Sequence, residues 1–247
     1  MIVMILGAVG SSKTCSMVRE MMTDNSGKIF FSNIVTKDIK NNILITPDMI
    51  FKKEIIKVKK DGTEIYKYHV NREFWQEAVK KYGSLNVIID EAHSVLNSRR
   101  SMSKTSIAVV DWLALLRRVL GSSASGYGRL FLVTQIERRL DIIAKEQATE
   151  ARYHLCHYLK TCNKCGYTVG ENNEVSDPIF MCPRCNIEMH KHSHTAEIWC
   201  FKDYNSFVQW KYLGKGKTFY KHYFITNLER IFPMYNTLQW DNLLVEN

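Results

Sequence analysis

No run of about 18 uncharged apolar residues exists in this 247-residue chain, so the sequence predicts no membrane-spanning helix. The longest candidate, residues 107–116, is broken by Asp111 and followed by Arg117 and Arg118. No basic segment precedes the first apolar run, so the N-terminus does not read as a secretory signal. There is no low-complexity tract and no internal repeat. Acidic residues are in deficit: 25 Asp and Glu against 34 Lys and Arg give a net charge of +9, which points to a polyanionic partner, nucleic acid first. What remains is ordinary for a globular protein, 45% apolar and 24% charged. The length suits one large domain or a domain with a small added module.

The first apolar run leads into Gly7-Ala8-Val9-Gly10-Ser11-Ser12-Lys13-Thr14. This is the spacing of a phosphate loop, with Ser12 where the second glycine normally stands. Such a loop aims backbone N–H groups and a helix N-terminus at phosphates. Lys13 would reach the β- and γ-phosphates, and the Thr14 hydroxyl would ligate magnesium. A ligand-free strand-to-helix turn is the plain alternative. A second apolar strand, residues 86–89, ends in Asp90-Glu91. Asp90 would hold magnesium through water, and Glu91 would polarise the attacking water. A third apolar strand, 129–133, ends in Thr134-Gln135, and Gln135 would sense the γ-phosphate. Arg99, Arg100, Arg117, Arg118 and Arg129 are candidates for a transition-state arginine.

Elsewhere the pattern predicts helices over 14–22, 72–82, 106–120 and 136–151. It predicts strands over 28–34 and 152–159, and a basic hairpin of 51–58 and 64–70 turning at Asp61-Gly62. Gly27 is expected to cap the first helix. Segments 195–201, 219–226 and 230–237 read as strands and turns rich in aromatics.

Seven cysteines with a phosphate loop suggest a reducing compartment, where paired cysteines read as metal ligands and not as disulfides. Cys162 and Cys165 are followed by Cys182 and Cys185, a Cys-x-x-Cys pair repeated at zinc-ribbon spacing. No ligand position looks open, so the zinc site should be structural. His190, His192 and His194 follow as a solvated, weakly metal-binding tract. Cys156 and Cys200 read as strand cysteines and Cys15 as a packed one.

The order of these elements resembles the zonula occludens toxin-like assembly ATPases of filamentous viruses, within the FtsK–HerA group of DNA-pumping ATPases. The resemblance rests on GAVGSSKT, IIDEAH with Arg99-Arg100 after it, LLRRVLGSS, LVTQ, DIIAKEQATEARYH and IFPMYNT. It implies an α/β fold, a RecA-like P-loop NTPase core with a mainly parallel sheet. Residues 1–160 would form that core, 161–195 an inserted zinc ribbon, and 196–247 a β-rich completion. It further implies an ATP-hydrolysing motor with ATP and Mg as cofactors, whereas Zn follows from the cysteine spacing, the ribbon being an insertion relative to the family pattern. The motor would be a ring, expected to be a hexamer, moving double-stranded DNA in genome packaging or virion assembly. Capsid or coat proteins would be partners, and the host cytoplasm or the assembling virion the location. Toxin-like relatives continue into a membrane span and an outer domain, which this sequence does not contain. Two other readings stay open: a zinc-ribbon nucleic-acid-binding or regulatory protein using ATP as a switch, and a helicase suggested by Asp90-Glu91-Ala92-His93. A helicase would need a second RecA-like domain, for which the length is insufficient.

Overall fold

The computed structural model describes residues 1–62, 64–96, 104–120 and 128–240, with backbone alone at 104–110, 117 and 237–240. The chain begins with β1 (Ile2–Leu6), α1 (Lys13–Thr23), β2 (Ile29–Ser32), β3 (Ile34–Thr36), β4 (Asn42–Leu44) and α2 (Pro47–Ile50). A hairpin of β5 (Phe51–Val58) and β6 (Glu64–Val70) leads to α3 (Arg72–Tyr82), β7 (Leu85–Ile89), α4 (Ala92–Val95) and α5 (Lys104–Leu120). Then come β8 (Leu130–Thr134), α6 (Ile142–Glu146), β9 (Glu150–Thr161) and β10 (Thr168–Asn172). The last elements are β11 (His190–Phe201), α7 (Tyr204–Leu213), β12 (Phe219–Ile225) and β13 (Tyr235–Trp240).

The three apolar runs that end in site residues are β1, β7 and β8, and every residue of each is buried. Strands covered on both faces read this way, as continuous hydrophobic runs. They lie at the centre of a nine-stranded sheet ordered β12-β11-β9-β1-β8-β7-β2-β4, with β10 beside β9. From β9 to β4 all pairings are parallel, while β10 and β11 pair antiparallel with β9, and β12 antiparallel with β11. The architecture is α/β with a mainly parallel sheet, as expected for a RecA-like P-loop core. β8 separates the phosphate-loop strand from the acid-bearing β7 and so brings its own tip between them.

One face of the sheet is covered by α3, α5 and α7 through Trp75, Trp112, Leu116 and Phe207, all buried. Trp75 and Trp112 have ring centroids 5.8 Å apart. α1 covers the other face with Cys15, Met17, Val18 and Met21. No helix among the described residues is long and apolar enough to cross a membrane.

Four local expectations are corrected. Only Ile142–Glu146 of the helix expected at 136–151 is α-helical. The chain is drawn into the sheet instead, with Thr149 N–H donating to Ile2 O at 2.9 Å and β9 starting at Glu150. Tertiary pairing overrides helix propensity here. α7 lies within 196–247, expected as a β-rich completion of the core, where no helix was foreseen. Its signals were present: Asp203 caps it by accepting from Ser206 N–H at 2.7 Å, and Gly214 closes it at φ +60°. α1 is capped by Asp24, with Gly27 left-handed in the following turn. The strand expected at 28–34 is broken at Asn33 into β2 and β3.

Candidate nucleotide site and cysteine knuckles

Gly7 leaves β1 at φ +150°, and a Cβ there would stand 2.5 Å from His154 O and from Ser11 Oγ. Only glycine fits this passage. Ser12 then adopts a left-handed conformation (φ 65°, ψ 22°) at the N-cap of α1. That is why a glycine is usual at this position, since an L side chain costs roughly 1–2 kcal/mol there. The loop shape therefore survives the substitution under some strain.

Lys13 is buried and folds back over the loop. Its ammonium donates to Gly7 O at 3.0 Å, Ala8 O at 2.8 Å and Ser11 Oγ at 3.2 Å. Burial pulls its pKa down, opposed by Glu91 and Asp90. Thr14 Oγ1 donates to Asp90 Oδ2 at 2.7 Å, so a hydroxyl and a carboxylate from α1 and β7 meet beside the loop. Burial pushes the Asp90 carboxyl up, while the bonds from Thr14 and from Glu91 N–H oppose the shift. Hard oxygen donors from this pair fit magnesium.

Glu91 sits in a left-handed conformation (φ 49°, ψ 43°), which turns the chain sharply after β7. Its Oε1 accepts from Gln135 Nε2 at 3.1 Å. Burial and then the neighbouring Asp90 raise the Glu91 pKa, a shift toward a general base. Lys13, Thr14, Asp90, Glu91 and Gln135 thus share one cleft of about 810 Å³.

Three residues of this site were not foreseen as parts of it. Asn33 clamps Asp90, its Oδ1 accepting from Asp90 N–H at 2.7 Å and its Nδ2 donating to Asp90 O at 2.9 Å. His93 Nδ1 lies 3.2 Å from Thr134 Oγ1 and 3.1 Å from Glu91 Oε2. Burial, then Arg139, pull His93 below its usual range and favour the neutral ring. His154 is fully buried beneath the loop with Nδ1 3.4 Å from Ser16 Oγ. Burial, then Lys13 and Arg152, lower its pKa to about 3. His93 was visible within the acid motif. Asn33 and His154 carry no local signal, because their partners lie 57 and 138 residues away.

Of the arginines, Arg99 and Arg100 lie outside the described residues, as does the side chain of Arg117. Arg118 is exposed on α5. Arg129 precedes β8, at the end of that strand away from Gln135, and its guanidinium lies 3.8 Å from Glu20.

The cysteine pairs lie at the far end of the extended β9. The Sγ atoms of Cys162, Cys165, Cys182 and Cys185 all lie within 4.8 Å of one another. A tetrahedral zinc with Zn–S of about 2.3 Å needs sulfurs about 3.8 Å apart, so the set fits zinc. Each pair turns on the same hydrogen bond, Gly166 N–H to Cys162 O at 2.9 Å and Asn186 N–H to Cys182 O at 2.8 Å. Gly166 and Asn186 both have positive φ, 72° and 50°. His190 and His192 lie near this end on β11, whereas His194 packs on Phe232 with ring centroids 5.2 Å apart.

Residues 1–161 match the family described as zonular occludens toxin (Zot). No curated protein matches the sequence. Among solved structures, the N-terminal domain of the zonular occludens toxin from Neisseria meningitidis aligns over 95% of this chain and 98% of its own, at 19% identity and a TM-score of 0.44. The genome packaging NTPase of Sulfolobus turreted icosahedral virus 2, in complex with ATP-gammaS, aligns over 62% of this chain and 74% of its own, at 18% identity and a TM-score of 0.36. With 161 of its 247 residues matched, from the phosphate loop through β9, the chain belongs to the zonular occludens toxin (Zot) family.

Proposed function

We propose that this chain is an ATP-hydrolysing motor that moves double-stranded DNA during genome packaging or virion assembly of a virus or plasmid. The observation that carries the reading is the meeting of Thr14 and Asp90 at 2.7 Å beside Lys13, with Glu91 held by Gln135 at 3.1 Å. In this reading Gly7 to Thr14 hold the triphosphate through backbone N–H groups and the Lys13 ammonium. Thr14 would ligate magnesium and Asp90 would hold it through water, and the ion would neutralise charge on the phosphates. Glu91 takes a proton from the attacking water, its pKa raised for the task by burial. Gln135 bonds Glu91 and reports whether the γ-phosphate is present.

Residues 1–160 and 196–247 make the motor core, and 161–195 a structural zinc ribbon that contacts DNA, capsid or a neighbouring subunit. Family resemblance and a net charge of +9 support a DNA partner. The working form is a ring, by resemblance a hexamer, in which a neighbour's Arg99, Arg100 or Arg117 completes the site. Capsid or coat proteins would be its partners in the host cytoplasm or on the assembling virion.

The test is ATP hydrolysis by purified protein, with and without double-stranded DNA, beside Lys13→Ala and Glu91→Gln. Turnover stimulated by DNA and lost in both variants is the expected result. Tight ATP binding without turnover, DNA included, would overturn the motor and leave a nucleotide-dependent switch.

A further inference from the structure

The acids of the nucleotide cleft lie on one side of β1, at the end of β7, with Gln135 beside them at the end of β8. Terminal-phosphate chemistry belongs there, at Asp90, Glu91 and Gln135. The rest of a nucleotide must then leave the loop toward the other side of β1, over β9. The cleft does continue that way. Its far wall is lined by Tyr158, Asn172, Val175, Phe180, His194 and Phe232. These come from β9, the end of β10, the segment between β10 and β11, β11 itself and the segment before β13.

This wall is built and held. Asn173 straps the arm to the loop and the sheet: its Oδ1 accepts from Cys156 N–H at 2.7 Å, and its Nδ2 reaches Val9 O at 3.4 Å. Lys160 and Glu171 form an ion pair of 2.7 Å with side chains only 1% and 5% exposed. Lys160 Nζ also donates to Ile179 O at 2.6 Å, and Ile179 N–H donates to Glu171 Oε1 at 2.8 Å. The turn carrying Phe180 is thereby folded back onto the sheet. Yet Phe180 and Phe232 remain 59% and 36% exposed, unusual for large aromatic rings in a cleft. Lys191 adds a cation, its ammonium 4.4 Å from the Tyr158 ring centre.

We propose that the cysteine-bearing arm supplies the nucleobase half of the nucleotide site: Phe180 and Val175 of the arm, with Phe232 of the C-terminal segment, take the base of a nucleoside triphosphate against their apolar faces. The inference rests on the nucleotide reading of the phosphate loop and adds a role for a segment outside the matched family span. Aromatic stacking on a base is a recurrent device and tolerates different bases, since each presents a π-face. The arm thus joins a metal-held tip to the nucleotide it helps to bind.

The experiment is calorimetric titration of magnesium ATP and of magnesium tripolyphosphate into the full chain, Phe180→Ala, Phe232→Ala and Lys13→Ala. Both aromatic side chains are partly exposed, so folding is expected to survive their loss. Each aromatic variant should weaken ATP about tenfold and leave tripolyphosphate within about twofold. Lys13→Ala should weaken both ligands. Equal loss of the two ligands in the aromatic variants, or no loss of ATP, would overturn the base wall. Wild-type protein that binds tripolyphosphate as tightly as ATP would also overturn it while sparing the phosphate loop. Wild-type protein that binds neither ligand would overturn the nucleotide reading and the base wall with it.

Discussion

The core sheet and the cysteine arm are one continuous structure held by two different kinds of force. The core buries β1, β7 and β8 completely between two layers of apolar side chains. In its own cluster the arm fully buries Cys162, Cys182 and Met189, with Tyr167, Val169 and Cys185 partly buried against them. Three buried and three partly buried side chains cannot offset the ordering of some thirty residues at roughly 1–2 kcal/mol each for backbone alone. Small modules of this kind rely on metal or disulfides. The core's stability is therefore spread over many contacts, while on the zinc reading the arm's would be concentrated in four sulfur atoms and a strap.

The largest expected effect separates the two directly. Cys162→Ser with Cys182→Ser removes half of a ligand set whose zinc affinity in comparable peptides is about 10–16 kcal/mol. Hydrogen exchange in residues 162–189 should speed by about three decades, with β1, β7 and β8 protected as before. Equal loss of protection in the core would show that the two regions unfold as one. Next in size, Glu91→Gln should cut kcat by about 10²–10⁴ while changing KM for ATP only a few-fold. Its melting curve should match wild type, since the change touches chemistry and not either source of stability.

His154 gives the core a pH dependence of its own. Its pKa in the folded chain is about 3, below the usual value near 6.5. Stability from a depressed group is complete above the unfolded pKa and is lost as pH falls through the interval. Between pH 7 and pH 4.5 the wild type should lose about 2–3 kcal/mol that His154→Gln does not lose, read from urea unfolding at both pH values. An identical pH slope in the two proteins would break this assignment. Asn33→Ala should remove both bonds to the Asp90 backbone and lower stability by about 2 kcal/mol, a Tm drop of roughly 4–8 °C. ATP hydrolysis should fall further than that loss explains, because Asp90 is no longer clamped. The smallest change is a gain: Ser12→Gly relieves a left-handed serine and should raise Tm by roughly 2–4 °C, about 1 kcal/mol. A fall in Tm would mean that the serine is not strained.

Most of the central sheet was legible because each of its buried strands is an apolar run with a polar end. Asp90, Glu91 and Gln135 stand at such ends, Lys13 and Thr14 open α1 after the loop that follows β1, and motif spacing pointed to all five. The hairpin of 51–58 and 64–70 was legible from Asp61-Gly62. Other parts were hidden for physical reasons. Asn33 and His154 act through chain segments far away in sequence. The helix expected at 136–151 has good local propensity, but pairing beside β1 claims its last residues. α7 carried its cap signals at Asp203 and Gly214, yet Trp, Tyr and Phe within it also favour strands, and that masked its period. The two knuckles were legible from cysteine spacing. That their connecting turn would face the phosphate loop was not, because Asn173 and Val9 are 164 residues apart.

β9 has a mechanical consequence. It runs twelve residues without interruption, from Glu150 beside the phosphate-loop strand to Thr161 at the first knuckle. At about 3.3 Å per residue that is a beam of roughly 36 Å, braced along its outer length by β10 and β11. A tilt of about 5° at the root would carry the tip through about 3 Å, by the same strand geometry. Whatever the knuckles grip would travel as a rigid load, and resistance at the tip would be felt at the root as torque beside the loop.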